Sequence, residues 1–434
     1  MNDNPLGNSL PFFPAPPETL EETGISLAFI VELACKTLYF GGVLSLSSVS
    51  EQFALPVSVA KDAMEFLKRE RLAEVKKGGD FLPAYTFALT DLGRERAREY
   101  LQLSGYLGAV PVTLRQYTDA AMSQTVRKMV VNRESVNRAF EGVILTPGLL
   151  DRLGPAINSG RSIFLYGPSG NGKTFIAERL ARVLSGNVFI PHAIYVDNQV
   201  IRVFDPVNHK RIDIGTRPDP TTPFPDERNG FDRRWVPCER PVVVSGGELT
   251  LAMLDLSFDP VSSFYEAPLQ LKANGGVFLI DDLGRQLVRP HDLLNRWIVP
   301  LEKSRDYLTL KNGKKFEIPF DQIILFSTNI EPRQLADEAF LRRIGYKIKI
   351  DDLEEEEYAG IFRQVCERLG VACRPEVIRY MVDEVHGLRG IRLSACHPND
   401  VLSRVAEICQ YEGTPLRLDK EIVARACRDY FMEL

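Results

Sequence analysis

An α/β architecture is predicted for the middle of this chain: a parallel sheet sandwiched by helices, with a small helix-and-hairpin unit before it and a helical unit after it. Two observations predict the sheet. An apolar run enters a glycine-rich loop and leaves as an amphipathic helix, and two later apolar runs end in polar side chains. The third observation is the order helix, helix, helix, hairpin, helix near the N-terminus. A length of 434 residues accommodates two or three domains, and 44% hydrophobic with 26% charged residues is ordinary for a globular protein. The net charge of −5 argues against a surface that coats nucleic acid and leaves room only for a local basic groove.

The opening "MNDNPLGNSLPFFPAPPE" has neither a basic start nor a continuous apolar core. Residues 1–23 therefore read as a flexible, proline-rich lead-in rather than a secretory signal. The longest apolar stretch, "ISLAFIVELAC", falls short of the ~20 residues that cross a bilayer. A cytoplasmic protein without membrane insertion is expected. Seven cysteines, an odd number with no CxxC pair, are expected as reduced thiols, and the five histidines show no ligand spacing in sequence.

Residues 24–104 form the first unit. "ISLAFIVELACKTLYFGG" predicts an apolar helix closed by glycines; "SLSSVSEQFAL" and "PVSVAKDAMEFLKRERLAEV" predict two more, Pro56 standing near the first turn of the third. "KKGGDFLPAYTFALT" supplies a turn and an alternating strand before the helix "DLGRERAREYLQL". This order resembles winged-helix domains, which often bind DNA. Lys68, Arg69, Arg71, Lys76 and Lys77 form a basic cluster, but Glu65, Glu70 and Glu74 dilute it, and the unit holds as many acidic as basic residues. Protein contact or autoregulation is the expectation, with DNA binding as the alternative. Residues 105–117 are expected as a linker.

"RSIFLYGPSGNGKTFIAERLARVL" carries the chemistry. A strand over Ile163 to Tyr166 leads into Gly167, Pro168, Ser169, Gly170, Asn171, Gly172, Lys173 and Thr174, followed by a helix that begins with Phe175 close to its start. This fits GxxxxGK[ST] in its proper context. Glycines let successive backbone N–H groups turn inward around phosphate oxygens, the helix N-terminus adds partial positive charge, and Lys173 reaches the outer phosphates. Thr174 offers a hydroxyl to Mg²⁺. "GGVFLIDDLGRQ" predicts a buried strand, Val277 to Ile280, ending in Asp281 and Asp282 at the sheet edge where α/β folds present groups to ligands. Asp281 suits the magnesium shell, and Asp282 suits orienting and deprotonating a water. "DQIILFSTNIEP" predicts another strand, Ile323 to Phe326, whose polar end offers Asn329, or secondarily Thr328, to phosphate and water.

In this order, over about Thr118 to Leu434, these motifs resemble those of AAA+ ATPases. The resemblance implies Walker A at Gly167 to Thr174, Walker B at Val277 to Asp282, sensor 1 near Asn329, an α/β core over 118–350 and a lid over 351–434. It implies ATP and Mg²⁺ as cofactors and a homo-oligomeric ring, a hexamer by preference. In "EAFLRRIGYKIKI", Arg343, with Arg342 in reserve, falls where the family places an arginine finger directed at the neighbouring subunit's nucleotide. The alternative pairs both arginines with Asp337, Glu338 or the run "DDLEEEE". A hairpin of Tyr307 to Leu310 with Lys315 to Ile318, around Asn312-Gly313, is similar to the pre-sensor-1 hairpin branch, where such hairpins usually line a central channel.

Three features depart from the pattern. The second Walker B acid is Asp282 rather than Glu. "GELTLAMLDLSFDP" lacks the GAFTGA sequence of sigma-factor activators, which excludes that function. In "CHPNDVLSRV", Asn399 and Asp400 stand where a sensor 2 arginine is looked for, leaving Arg392 or Arg404 as substitutes. Between Asn187 and Gly246, "AIYVDNQVIRVFDP" predicts a hairpin, and a Pro- and charge-rich loop follows, in which Phe231 and Trp235 bracket Arg233 and Arg234 as a candidate contact patch. The implied activity is ATP-driven remodelling of a macromolecule, foremost a protein. The alternatives are a DNA-associated ATPase or transcription regulator, or a nucleotide-gated scaffold with slow hydrolysis.

Overall fold

The computed structural model of the chain describes residues 12–78, 84–184, 186–214 and 230–431. At its centre lies a five-stranded sheet in the order Val242–Ser245, Val277–Ile280, Ile323–Thr328, Ile163–Tyr166, Tyr346–Lys349, with every pairing parallel. Strands buried on both faces read as continuous apolar runs, which is why "IFLY", "VFLI" and "IILF" stand out in the sequence. Alternate residues feed two cores. Ile163, Leu165, Val277, Leu279, Ile323 and Leu325 pack with helices Leu149–Asn158 and Lys173–Val183. Phe164, Phe278, Ile280, Ile324 and Phe326 pack on the other face with Leu293, Leu294 and Trp297. The α/β class is as expected, with helices on both faces of the parallel sheet.

The N-terminal unit contains helices Leu27–Gly41, Leu46–Phe53, Val57–Arg69 and Asp91–Leu103 around a small antiparallel sheet. Strand Thr86–Leu89 lies between Val43–Ser45 and Ala73–Lys77. Part of the expected turn in "KKGGDFLPAY" lies outside the described residues. Thr90 caps the last helix through its hydroxyl and the Gly93 N–H, 3.1 Å. Gly93 sits flush on the preceding segment: a Cβ there would stand 1.9 Å from the Leu72 carbonyl oxygen.

The expected linker is not a free connection. Tyr106, Val110, Val112 and Tyr117 are buried, Val112–Thr113 forms a strand, and helix Leu114–Ser123 begins within the segment. Apolar side chains at this spacing bury more surface by packing than a tether would. The lead-in is likewise fixed from Phe12 on, where Phe12 meets the rings of Phe189 and Trp235 edge-on; residues 1–11 lie outside the described residues.

A second five-stranded sheet was not foreseen. Its order is Ser257–Asp259, Phe264–Glu266, Gln199–Arg202, Ala193–Val196, Val112–Thr113. Only its middle hairpin, with Asp197 and Asn198 at φ 49° and 62° in the turn, was visible in sequence. The hairpin around Asn312-Gly313, Arg305–Thr309 with Lys315–Pro319, forms close to its expected limits. Its inner residues Leu308, Phe316 and Ile318 share a core with this sheet. Its tip is tied down by the Lys311 N–H to the Tyr265 hydroxyl, 2.9 Å, and by Lys314 to Asp197.

The candidate contact patch is also a correction. Arg234 and Asp232 are 2% and 3% exposed and form a buried ion pair at 2.8 Å. Arg234 also donates to the Thr23 and Pro111 carbonyls, and Trp235 is buried. The pair ties the lead-in and the former linker to the start of strand Trp235–Glu239, which pairs antiparallel with Asn187–Pro191; most of the loop before it, residues 215–229, lies outside the described residues. Removing one partner of a buried pair strands the other charge, so Asp232→Ala is expected to cost about 3–5 kcal/mol in equilibrium denaturation. A loss within the ~0–1 kcal/mol of a surface pair would contradict this role.

Candidate functional site

The glycine-rich loop rises from Ile163–Tyr166 and ends in helix Lys173–Val183. Gly167, at φ 142°, is held to glycine because a Cβ would stand 2.1 Å from the Ile350 carbonyl oxygen. Gly170 and Gly172 are also left-handed, at φ 86° and 73°. Lys173 is 6% exposed and its Nζ donates to the Pro168 carbonyl at 2.7 Å. Burial lowers its pKa, while Asp282 and Asp281 act against that shift.

The acidic strand meets the loop at one point. The Thr174 hydroxyl lies 2.9 Å from both carboxylate oxygens of Asp281. Asp282 has φ 49°, a left-handed backbone uncommon outside glycine. Asp282, Arg285, Ser327 and Asn329 line the same cleft as Ser169, Gly170, Asn171, Gly172, Lys173, Thr174 and Phe175, with a volume of about 1000 Å³. Thr328 is set aside as a ligand contact: it is fully buried and its hydroxyl donates to the Leu283 carbonyl at 2.6 Å. Phe175 is 44% exposed, with the Arg179 guanidinium 4.9 Å above its ring. The far side of the cleft is apolar: Val143, Ile144, Ile361 and Val365.

The cleft thus offers the glycine-rich loop, the buried Lys173 and Asp282 at one end, with Asp281 behind Thr174, and an apolar slot at the other. Such a space suits a polyphosphate with a flat apolar head. Thr174 and Asp281 provide hard oxygen donors, which fit Mg²⁺ better than a softer ion.

The C-terminal helices close the cleft. They span Glu355–Arg368, Pro375–Arg379 continuing as a wider turn through Tyr380–Gly387, His397–Glu412 and Lys420–Tyr430. Asn171, 5% exposed, stitches them to the loop. Its amide group donates to the Asp351 carbonyl at 3.1 Å and to the Asp352 carboxylate at 2.9 Å, and its oxygen accepts from the Ala395 N–H at 3.2 Å. The Cys396 N–H adds a bond to the Gly170 carbonyl, 2.9 Å. This role of Asn171 left no signal in sequence, because its partners lie about 180 and 224 positions away.

Neither sensor 2 substitute reaches the cleft. Arg392 faces Asp352 at 3.7 Å and Arg404 lies over the Tyr430 ring. Arg368, at the end of its helix, lines the cleft instead and donates to Asn399. Arg342 is exposed, and Arg343 faces Glu302 at 3.4 Å rather than the acids named from sequence. Neither lines the cleft of its own chain.

No curated protein matches the chain in sequence. A family profile described as a domain of unknown function (DUF8689) matches residues 354–429, within the C-terminal helices. Among solved structures the chain is similar to NtrX from Brucella abortus in complex with ADP, at 13% identity and TM-score 0.37, over 62% of this chain and 51% of that one. A second NtrX structure from the same organism gives 13% identity and TM-score 0.41 over 68% and 58%. The RuvB Holliday junction branch migration motor of Thermotoga maritima gives 14% identity and TM-score 0.35 over 66% and 70%. The chain therefore spans little more than half of either NtrX chain. Among the described residues, no helix is long and apolar enough to cross a membrane.

Beneath the stitch, His386 and His397 stack at 5.1 Å. Burial lowers both pKa values, that of His397 from 6.5 to about 4 with His386 adding to the shift and Asp400 and Asp352 opposing it. The Nδ1 atom of His397 is buried without a partner among the described residues. A depressed histidine pKa means that between pH 6.5 and about 4 the unfolded chain binds a proton that the folded one refuses. The C-terminal helices are therefore expected to lose stability as pH falls through that window. His397→Phe, which keeps a stacking ring, is expected to flatten this acid limb in urea denaturation at pH 7 and pH 5, and an unchanged limb would refute the assignment.

Proposed function

We propose that the chain is an AAA+ ATPase that binds ATP with Mg²⁺ in this cleft and hydrolyses it at the interface between subunits of a ring, a hexamer by preference. The observation that carries this reading is the meeting of Thr174 and Asp281 at 2.9 Å in a cleft that also presents Lys173, Asp282 and Asn329. Loop amides and Lys173 hold the phosphates, and the apolar slot with Phe175 takes the base. Thr174 and Asp281 hold the magnesium, which when bound neutralises phosphate charge. Asp282 accepts the proton of the attacking water, and Asn329 orients that water toward the outer phosphate. Arg343, with Arg342 as second candidate, acts in the neighbouring subunit's cleft by exchanging Glu302 for the transferred phosphate.

The work driven by this cycle is remodelling of a macromolecule, foremost a protein. Charges on the N-terminal unit favour protein contact over DNA, because its acidic residues equal its basic ones and several cations are paired with them: Lys61 with Glu65 at 3.3 Å, Arg69 with Glu70 at 3.7 Å, and Lys76 with Glu74. DNA binding would show as a steep loss of affinity with salt. Asp282, one methylene shorter than the usual glutamate, keeps a slow, nucleotide-gated scaffold as the second reading, which single-turnover rates of wild type and Asp282→Glu separate.

An arginine delivered in trans is worth on the order of 10³–10⁵ in rate where it is known. Lys173→Ala and Arg343→Ala proteins are each expected to be inactive alone, yet a mixture regains turnover at interfaces that join an intact loop to an intact arginine. Mixtures as inactive as their parents, or a wild-type rate strictly linear in protein concentration, would remove the interfacial mechanism.

A further inference from the structure

Gln286 ends the quoted stretch "GGVFLIDDLGRQ" and has no role in the assignments above. Its side chain makes three bonds to the backbone of the acidic loop. The amide group donates to the Asp281 carbonyl at 2.9 Å and the Asp282 carbonyl at 3.1 Å, and the amide oxygen accepts from the Gly284 N–H at 2.7 Å. Between these anchors Asp282 holds its left-handed φ of 49°. For a residue with a side chain that conformation is disfavoured and persists where its surroundings over-determine it.

The opposite side of the loop is anchored separately. The Leu283 N–H donates to the Ser327 carbonyl at 2.8 Å, and the Thr328 hydroxyl returns a bond to the Leu283 carbonyl. Those contacts fix Leu283 and the Asp282–Leu283 peptide, whose carbonyl also accepts from the Arg285 N–H at 3.0 Å, and the Asp281 N–H is held by the Ser245 carbonyl at 2.9 Å. The peptide plane between the two aspartates is anchored by Gln286 through the Asp281 carbonyl. The direction of each aspartate's Cα–Cβ bond follows from those planes. The geometry points to Gln286 as a positioning residue: it holds the two consecutive carboxylates in divergent directions, Asp281 toward Thr174 and Asp282 into the cleft. This rests on the ATPase reading for its catalytic consequence, but not for its effect on Asp281.

A glutamine is suited to the task because one planar amide both donates and accepts. Gln286→Met keeps the length and loses all three bonds. Gln286→Glu keeps an acceptor for Gly284 but sets an anion against two carbonyl oxygens it can no longer serve as donor. Misplacement of a reacting group by about 1 Å costs on the order of 10² in rate, so both variants are expected to lose kcat on that scale. Affinity for a fluorescent ATP analogue measured without Mg²⁺ should stay at the wild-type level, since the loop amides and Lys173 are untouched. The Mg²⁺ concentration that half-saturates its effect on analogue binding should rise several-fold in both variants.

Wild-type kcat and Mg²⁺ response in the variants would overturn the assignment, as would a parallel loss of Mg²⁺-free affinity, which marks general damage to the fold. Recovery by Gln286→Glu would also overturn it, because the donated bonds would then be dispensable. If wild-type protein hydrolyses nothing while the Mg²⁺ response still shifts, the positioning role stands and the ATPase reading falls.

Discussion

The contact between the Thr174 hydroxyl and the Asp281 carboxylate joins two segments more than a hundred positions apart, and the rest of the cleft is arranged around it. It exists because strand Ile323–Thr328 lies between the loop strand and the acidic strand, all three parallel and in register. Parallel strands deliver their C-terminal ends to one edge of a sheet, so the loop, both aspartates and Asn329 emerge together. Two fully apolar faces keep that edge rigid. A one-residue shift in the pairing would separate the hydroxyl from the carboxylate and exchange the side chains between the two cores, so both cores hold the register.

The cleft has a second wall that the sheet alone does not supply. Asn171 and Gly170 spend polar groups of the loop on the segments that carry the C-terminal helices, at Asp351, Asp352, Ala395 and Cys396. Because Asn171 is buried, those bonds are made in a low dielectric and are costly to leave unsatisfied. Any ligand that turns the loop must therefore also act on the C-terminal helices. The stacked His386 and His397 rings lie beside this seam, His397 following directly on Cys396.

The N-terminal unit is tied to the remainder through a continuous core rather than a flexible joint. Ala193 and Val200 of the second sheet belong to the same buried cluster as Phe29, Phe53 and Phe87. The Asp232–Arg234 pair fastens both chain segments that cross between them. The hairpin Arg305–Thr309 with Lys315–Pro319 is packed on that sheet as well, through Leu308, Phe316 and Ile318.

Local patterns in the sequence were sufficient for the parallel α/β class, the glycine-rich loop, the limits of the Val277–Ile280 strand and the hairpins at Asp197-Asn198 and Asn312-Gly313. Each of these rests on neighbours within a few positions, where apolar period, glycine and turn chemistry act directly. The second sheet escaped because its strands are two to four residues long and its two hairpins and the Val112–Thr113 strand are joined across wide separations, so no single stretch carries its period. The stitch by Asn171, the clamp at Asp232–Arg234, the replacement of Arg392 and Arg404 by Arg368 in the cleft, and the hold of Gln286 on its own loop are likewise absent from the pattern. Sequence alone determined which chemical groups the chain owns and which segments are strand, loop or helix. Tertiary structure decided which of those groups meet, because a hydrogen bond or an ion pair depends on distances of about 3 Å that only the packed core sets.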